Sequence, residues 1–308
     1  MAVGPLPPGE CSKITSPAER DGGDAMGGSP TLRRRRLSAE LERLRRAANL
    51  TATEAATQLD WNPSKLTRME RNEWKRPLPR DVQDLLKLYG VSEAGERERL
   101  ITLAREGRQR GWWQQYEAGL NEQYAHYIGL EAEAAAVVNF EPLMIPGLFQ
   151  TEGYAREVIH GGHAEITDEQ VKQRVAVRAE RQKVLTRDDS LRFSAVVDEA
   201  ALRRHVGTPE VMREQLAHLL EMVKLPKVTL QVIPFDAGPH PGVLGPFAII
   251  KFTDPADPEA VYVENLAGQF FFEEPAQVDR YQVAFQRLVA VALSPEDTIK
   301  FIMDKVKT

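Results

Sequence analysis

Two short helical patterns meet at Asn62-Pro63, and that pair leaves the chain little freedom there. Proline has no N–H to donate and fits the first position of a helix, while the Asn before it fits the N-cap. Upstream, Thr51 followed by Glu54 reads as a capping box that opens a helix through Ala55, Ala56 and Leu59. Downstream, Leu66 and Met69 stand at i and i+3, the inward pair of a third helix. Before these, Leu37, Leu41, Leu44 and Ala48 form one stripe of a first helix whose other faces carry Arg. After them come Val82, Leu85, Leu86 and Tyr89, stopped by Gly90, and then a fifth helix with Leu100, Leu103 and Ala104. Residues 31–110 therefore read as a compact all-α domain.

A helix, the three-residue break Asp60-Trp61-Asn62 and a second helix have the proportions of a helix-turn-helix. Such a unit reads DNA when its second helix is polar along the face entering the major groove and apolar along the face that seats it. Asn62, Ser64, Lys65, Thr67 and Arg68 are the candidates for base contact. Arg33, Arg34, Arg35, Arg36, Arg43, Arg45, Arg46, Arg71, Lys75 and Arg76 are the candidates for neutralising phosphates.

The charge distribution agrees. The whole chain carries −5, which taken alone argues against a polyanion partner. Residues 31–110, however, hold 19 Lys/Arg against 12 Asp/Glu, a net of +7, and residues 111–308 hold 19 against 29, a net of −10. A basic unit joined to an acidic body points to two different partners. The ordered-looking composition, 42% hydrophobic and 28% charged, excludes wholesale disorder. No run approaches the roughly 18 apolar residues of a membrane helix, and no secretory signal is visible, so a cytoplasmic protein is expected. The single cysteine, Cys11, excludes a disulfide framework. Residues 1–30, with six Gly and five Pro, read as a disordered tail.

From residue 111 to 308 the pattern is mixed, and an α+β (mixed α/β) domain is expected. Trp112 opens a stretch read as helical through Tyr124, and Leu130–Val138 reads as a further helix. Thr167–Arg187 is long, charged and helical. Strand candidates are Leu191–Val197, Val228–Pro234, Pro246–Phe252, Val261–Glu264 and Gln269–Phe272. Further helices are expected at Pro209–Lys224, Pro275–Leu293 and Pro295–Val306.

Leu41–Asn72, above all Leu44 through Thr51 and Trp61 through Arg71, resembles the Xre/Cro-type helix-turn-helix of actinomycete transcriptional regulators. The rest resembles the C-terminal domain of those regulators. The segments that carry this are Tyr127–Ala135, Glu141–Tyr154, Arg178–Leu185, Asp198–Arg203, Val211–Leu220, Ile233-Pro-Phe through Gly242, and Tyr262-Val-Glu264. The resemblance implies a WhiJ-like, antitoxin-like regulator, with a short cognate protein encoded beside it and a C-terminal domain of no established chemistry. The chain departs from the pattern at Ala52, where such regulators often carry a phosphate-reaching Gln. It departs again at Asp60 and Asn72, where they often carry Gly.

An enzymatic reading needs a constellation, and the sequence offers only fragments. His160-Gly-Gly-His163, with Glu157 one turn earlier, lacks a third spaced ligand. Asp198-Glu199 are adjacent at a helix start, where carboxylates favour the dipole. No catalytic residues, metal or cofactor are therefore expected. The expected function is a DNA-binding transcriptional regulator acting on double-stranded operator DNA, as a homodimer, with no membrane contact. Its acidic domain would serve dimerisation, sensing of a small-molecule effector, or binding of a small protein. The alternative is a protein-interaction module in which the basic helices are an auxiliary contact. For the acidic domain, the Pro142–Gln150 loop, the Pro239–Gly242 turn and the Phe270–Phe272 run are expected to meet as a partner surface. Phe149, Tyr154, His240 and Phe271 would be its representatives.

Overall fold

The computed structural model describes residues 29–162, 165–255 and 257–306. Five helices form the N-terminal unit: Pro30–Ala47 (α1), Ala52–Gln58 (α2), Pro63–Glu70 (α3), Pro79–Leu88 (α4) and Ala94–Glu106 (α5). Ser29 caps α1 by accepting from Thr31 N at 3.3 Å, so α1 begins inside the segment expected to be a tail. The rest of that expected tail, residues 1–28 with Cys11, lies outside the described residues. The capping box at Thr51 is present: Glu54 N donates to Thr51 Oγ1 at 3.2 Å and Thr51 N to Glu54 Oε2 at 2.8 Å. Asn62 caps α3, its Oδ1 accepting from Ser64 N at 2.9 Å, with Pro63 in the first turn.

Leu37, Leu41, Ala55, Ala56, Leu66, Leu85, Leu86 and Leu100 are fully buried in the core these helices share. Each buried leucine contributes about 1.5–3 kcal/mol relative to exposure. The turns between helices require left-handed backbone. Asp60 has φ 54° and Asn72 has φ 57°. These are the two positions where the resembling regulators often carry glycine, the residue that adopts this conformation without steric cost.

Beyond a 3₁₀ segment at Trp112–Gly119, the C-terminal unit runs Glu122–Glu131 (α6), Ala136–Glu141 (β1), Glu152–Gly161 (α7), Asp168–Gln182 (α8), Arg192–Asp198 (β2) and Glu199–Arg203 (α9). It continues with Pro209–Met222 (α10), Val228–Ile233 (β3), Phe247–Lys251 (β4), Ala260–Asn265 (β5), Gly268–Phe272 (β6), Pro275–Val291 (α11) and Pro295–Val306 (α12). The strands form one six-stranded sheet in the order β3-β2-β1-β4-β5-β6. β3, β2 and β1 are parallel, and β4, β5 and β6 are each antiparallel to their neighbour. The fold is α+β, as expected. Residues of α6, α7, α10 and α12 cover one face over Val137, Phe193, Leu230 and Ile250. Residues of α11 cover the other over Phe140, Val196, Ile249 and Val261.

Two expected elements differ. The stretch from Trp112 to Tyr124 is not one helix: the 3₁₀ segment ends at Gly119, and α6 starts anew behind Asn121, whose Oδ1 accepts from Tyr124 N at 2.7 Å. Leu130–Val138 is not a helix either, because α6 ends at Glu131 and the chain enters β1. Val137 and Asn139 face one side of the sheet while Phe140 faces the other, and β-branched residues in a central strand pack better than they propagate a helix.

The two units are joined through α1. Leu37, Leu41 and Leu44 lie in the helical core, but Leu32 is buried in the core under the sheet. Gly129 of α6 meets Thr31 so closely that a Cβ there would stand 2.2 Å from Thr31 Oγ1.

Candidate functional site

Helix α3 is held from behind and open in front. Leu66 and Met69 are buried, and Arg45 of α1 grips Glu70 at 2.7 and 2.8 Å while also donating to Leu50 O at 2.7 Å. Asn62, Ser64 and Arg68 are exposed along the outer face, and Thr67 is half-buried with its hydroxyl donating to Pro63 O at 3.1 Å. Asn62 accepts from both Ser64 N and Ser64 Oγ, so the front of the helix is pre-organised as a cap that still faces outward. Among the described residues, Arg68 makes a single 3.3 Å hydrogen bond, to Ser64 O. Lys65, expected to face bases, is drawn sideways instead. Its Nζ sits 3.6 Å from the ring centre of Trp61 and 2.8 Å from Asp81 Oδ2 on α4. It braces α3 against its neighbours.

The basic residues expected at phosphates fall into two groups. Arg71 and Arg76 are exposed and form no ion pair among the described residues, and the same holds for neighbouring Arg80, which the sequence did not single out. Lys75 pairs with Glu122 at 3.1 Å with both side chains largely exposed, a pair of the kind worth about 0–1 kcal/mol. Exposed Arg43 and Arg46 pair with acids of their own surface, Glu40 with Glu96, and Glu42, respectively.

The run Arg33 to Arg36 belongs elsewhere. Arg33 pairs with Glu106 at 2.9 Å, and Arg34 donates to Gly107 O at 3.0 Å and Thr31 Oγ1 at 3.3 Å. Arg35 is buried between Glu273 (3.2 Å) and the face of Phe252 (5.5 Å to the ring centre). Arg36 donates to both carboxylate oxygens of buried Asp257 and pairs with Asp254 at 3.3 Å. A run of four arginines reads as a phosphate contact in the sequence. Packed against α5 and the edge of the acidic unit, it is the joint between the domains.

In the acidic unit, β1 ends in a cavity of about 230 Å³ between α6, α8 and the Met144–Gln150 loop. Its walls carry Tyr124 and Tyr127, Asn139 and Glu141, Arg178 and Arg181, and Tyr262 and Glu264. Arg181 is already satisfied: it makes two 2.7 Å bonds to buried Glu131 and a further bond to Tyr124 Oη. Arg178 donates to Gln150, a neutral partner. The Glu141 carboxyl has only a 3.5 Å bond from Asn139. Burial pushes its pKa up to about 7; the Asn139 hydrogen bond opposes this, the charge of Glu264 adds to it, and Arg178 opposes it least. Glu264 stands exposed at the mouth, accepting from Tyr262 Oη at 3.2 Å and Gln269 Nε2 at 2.8 Å.

With that geometry in place, the family is decided by the match over residues 124–304, more than half of the chain, to a domain of unknown function (DUF5753). The chain belongs to the DUF5753 family. The DUF5753 portion contains the whole sheet and every cavity residue named above. Residues 36–100 match a helix-turn-helix domain, which suggests a DNA-binding regulator. No curated protein and no solved structure matches the chain.

The expected partner surface of the DUF5753 domain is partly redistributed. Phe149 and Tyr154 are core, not surface: Phe149 packs edge-on to Phe193 at 4.9 Å, and Tyr154 Oη accepts from Ile145 N at 3.3 Å. His240 is a clamp. Its Nδ1 accepts from Gly242 N at 3.2 Å, leaving Nε2–H to face Asp198 Oδ2 at 3.3 Å. Its turn packs on Phe140, on the sheet face away from the cavity, so it does not join the other two segments. The Met144–Gln150 loop does line the cavity, and Phe271 backs it by packing on Tyr262 at 5.3 Å. His160 lies in the last turn of α7, and His163 lies outside the described residues. Asp198 and Glu199 are engaged by Ala200 N and Phe235 N, respectively. No helix of the described residues is long and apolar enough to cross a membrane.

The sequence reading missed Glu141, Arg178, Tyr127 and Glu264 as site residues. A signal existed. Each lies in a segment that carried the family resemblance, and those segments, scattered over more than 130 positions of chain, converge on the cavity.

Proposed function

We propose that the protein is a sequence-specific transcriptional regulator that lays α3 in the major groove of operator DNA. The observation that carries this is the division of α3: Leu66 and Met69 buried, Asn62, Ser64 and Arg68 exposed, with Arg71, Arg76 and Arg80 beside them forming no ion pair among the described residues. Arg68 is the base-reading residue of this proposal, and the flanking arginines hold phosphates. By the family resemblance, the regulator is of the Xre type, cytoplasmic, homodimeric on paired half-sites and antitoxin-like, with a small cognate protein. The DUF5753 domain is read as the sensing and partner-binding unit and is assigned no catalytic step. Selection of bound duplexes from a random library by the full chain tests the reading. It expects one enriched motif, and an unenriched pool contradicts it.

A further inference from the structure

The cavity at the end of β1 has an unbalanced set of charges. Arg181 and Glu131 neutralise one another through two 2.7 Å bonds. That leaves Glu141 and Glu264 facing a single guanidinium, Arg178, whose hydrogen-bonded partner is the neutral amide of Gln150. Two carboxyl groups sharing one guanidinium leave a surplus of negative charge, whose desolvation penalty an incoming cation reduces. The remaining lining is largely apolar and in part aromatic. Tyr127 is stacked beside Tyr124, with ring centres 6.3 Å apart, and lies 4.4 Å from Tyr262. Arg181 already lies over Tyr124 and Tyr127, 5.3 and 5.1 Å from their ring centres, so the tyrosine ring left to attract an incoming ammonium group is Tyr262. Pockets for drug-sized ligands run about 300–1,000 Å³, so a cavity of about 230 Å³ suits a smaller molecule.

We propose that this cavity binds a small molecule bearing a protonated amine, its ammonium held by Glu141 inside and Glu264 at the mouth, and its body packed against Tyr127 and Tyr262. The site stands apart from the DNA-binding reading, because all of its lining residues lie in the DUF5753 domain. It is nonetheless one helix from the DNA-binding unit. Helix α6 supplies Tyr124 and Tyr127 to the cavity and presses Gly129 against Thr31 of α1.

The test uses the full chain without DNA, so its failure and a failure of the DNA-binding reading are separate. Ligand-detected NMR and the melting temperature are followed while millimolar tyramine, the neutral para-ethylphenol or the anionic para-hydroxyphenylacetate is added, with butylamine as a second amine. Tyramine is expected to bind about tenfold tighter than either uncharged or anionic analogue. Its affinity should fall as pH drops from about 8 to about 6, because Glu141 then gains a proton. Glu141→Gln should lose about tenfold in tyramine affinity, and Glu264→Gln, exposed at the mouth and harmless to folding, should lose less. The proposal is overturned if neither amine binds, if the neutral or anionic analogue binds as well as tyramine, or if both glutamine variants bind tyramine unchanged.

Discussion

Arg36 and Asp257 stand 221 residues apart in the chain, and the guanidinium of one donates to both oxygens of the other, with Nε to Oδ1 at 2.6 Å. Asp257 is buried, and this pair fastens the first helix of the DNA-binding unit to the acidic domain. Removing one partner of a buried pair leaves an uncompensated charge, at a cost of about 3–5 kcal/mol when both groups are fully buried. Arg36 retains some exposure, so Arg36→Ala is expected to cost about 2 kcal/mol. Thermal or urea unfolding measures it. The same variant should leave the slope of log affinity against log salt for DNA unchanged, since Arg36 is not free to meet phosphate. A slope lowered by about one would place Arg36 at the DNA after all.

Asp60 and Asn72 pay for their turns in backbone strain, with φ of 54° and 57°. Asp60→Gly and Asn72→Gly should each stabilise the protein by about 0.5–1 kcal/mol, the left-handed penalty less the extra chain entropy of glycine. Denaturant midpoints give the answer. Asp60→Gly should also strengthen binding to random DNA, because it removes a carboxylate from the turn that precedes α3. Asn72→Gly should not.

Two half-buried groups pull the pH dependence of stability in opposite directions. The pKa of Glu141 is raised to about 7 by burial and Glu264, so its folded form holds a proton that the unfolded chain gives up at lower pH. Its contribution is intact below the ordinary carboxylate pKa of about 4.3 and is lost as pH rises through 7. His126 is pushed down to about 4 by burial, then by the charges of Arg35 and Arg34. Its contribution is intact above the ordinary value of about 6.5 and is lost as pH falls through 4. Between about pH 4.5 and 6.5 the two largely cancel. Glu141→Gln should therefore show stability rising with pH across that window, and His126→Gln stability falling. Parallel curves for both variants would contradict the assignment.

Much of this was legible in the sequence where local chemistry decides local structure. Thr51 with Glu54, and Asn62 with Pro63, specify where α2 and α3 begin because caps act over three or four residues. The strands from Leu191 onward were legible because β-branched and aromatic runs are bounded there by turn residues. What could not be read depends on distant partners. Arg35 looks like a phosphate contact until Glu273 and Phe252 are seen to enclose it. Lys65 looks free until Asp81 and Trp61 claim it. Phe149 and Tyr154 suggested a surface because Pro and Gly surround them, yet the loop folds inward and buries both. Glu141 reads as the polar end of a loop, and only the sheet places it in a cavity with Arg178 and Glu264.

In the proposed complex, α3 reads sequence through its exposed face. Equilibrium binding of the full chain to its selected duplex and to random duplex, at several salt concentrations, tests it directly when Arg68→Ala and Arg71→Ala are compared with the parent. Arg68→Ala should lose about 1–3 kcal/mol of preference for the selected duplex while random binding holds. Arg71→Ala should weaken both duplexes alike and lower the salt slope by about one. Equal affinity of the parent for selected and random DNA, or an unchanged preference in Arg68→Ala, would contradict the account.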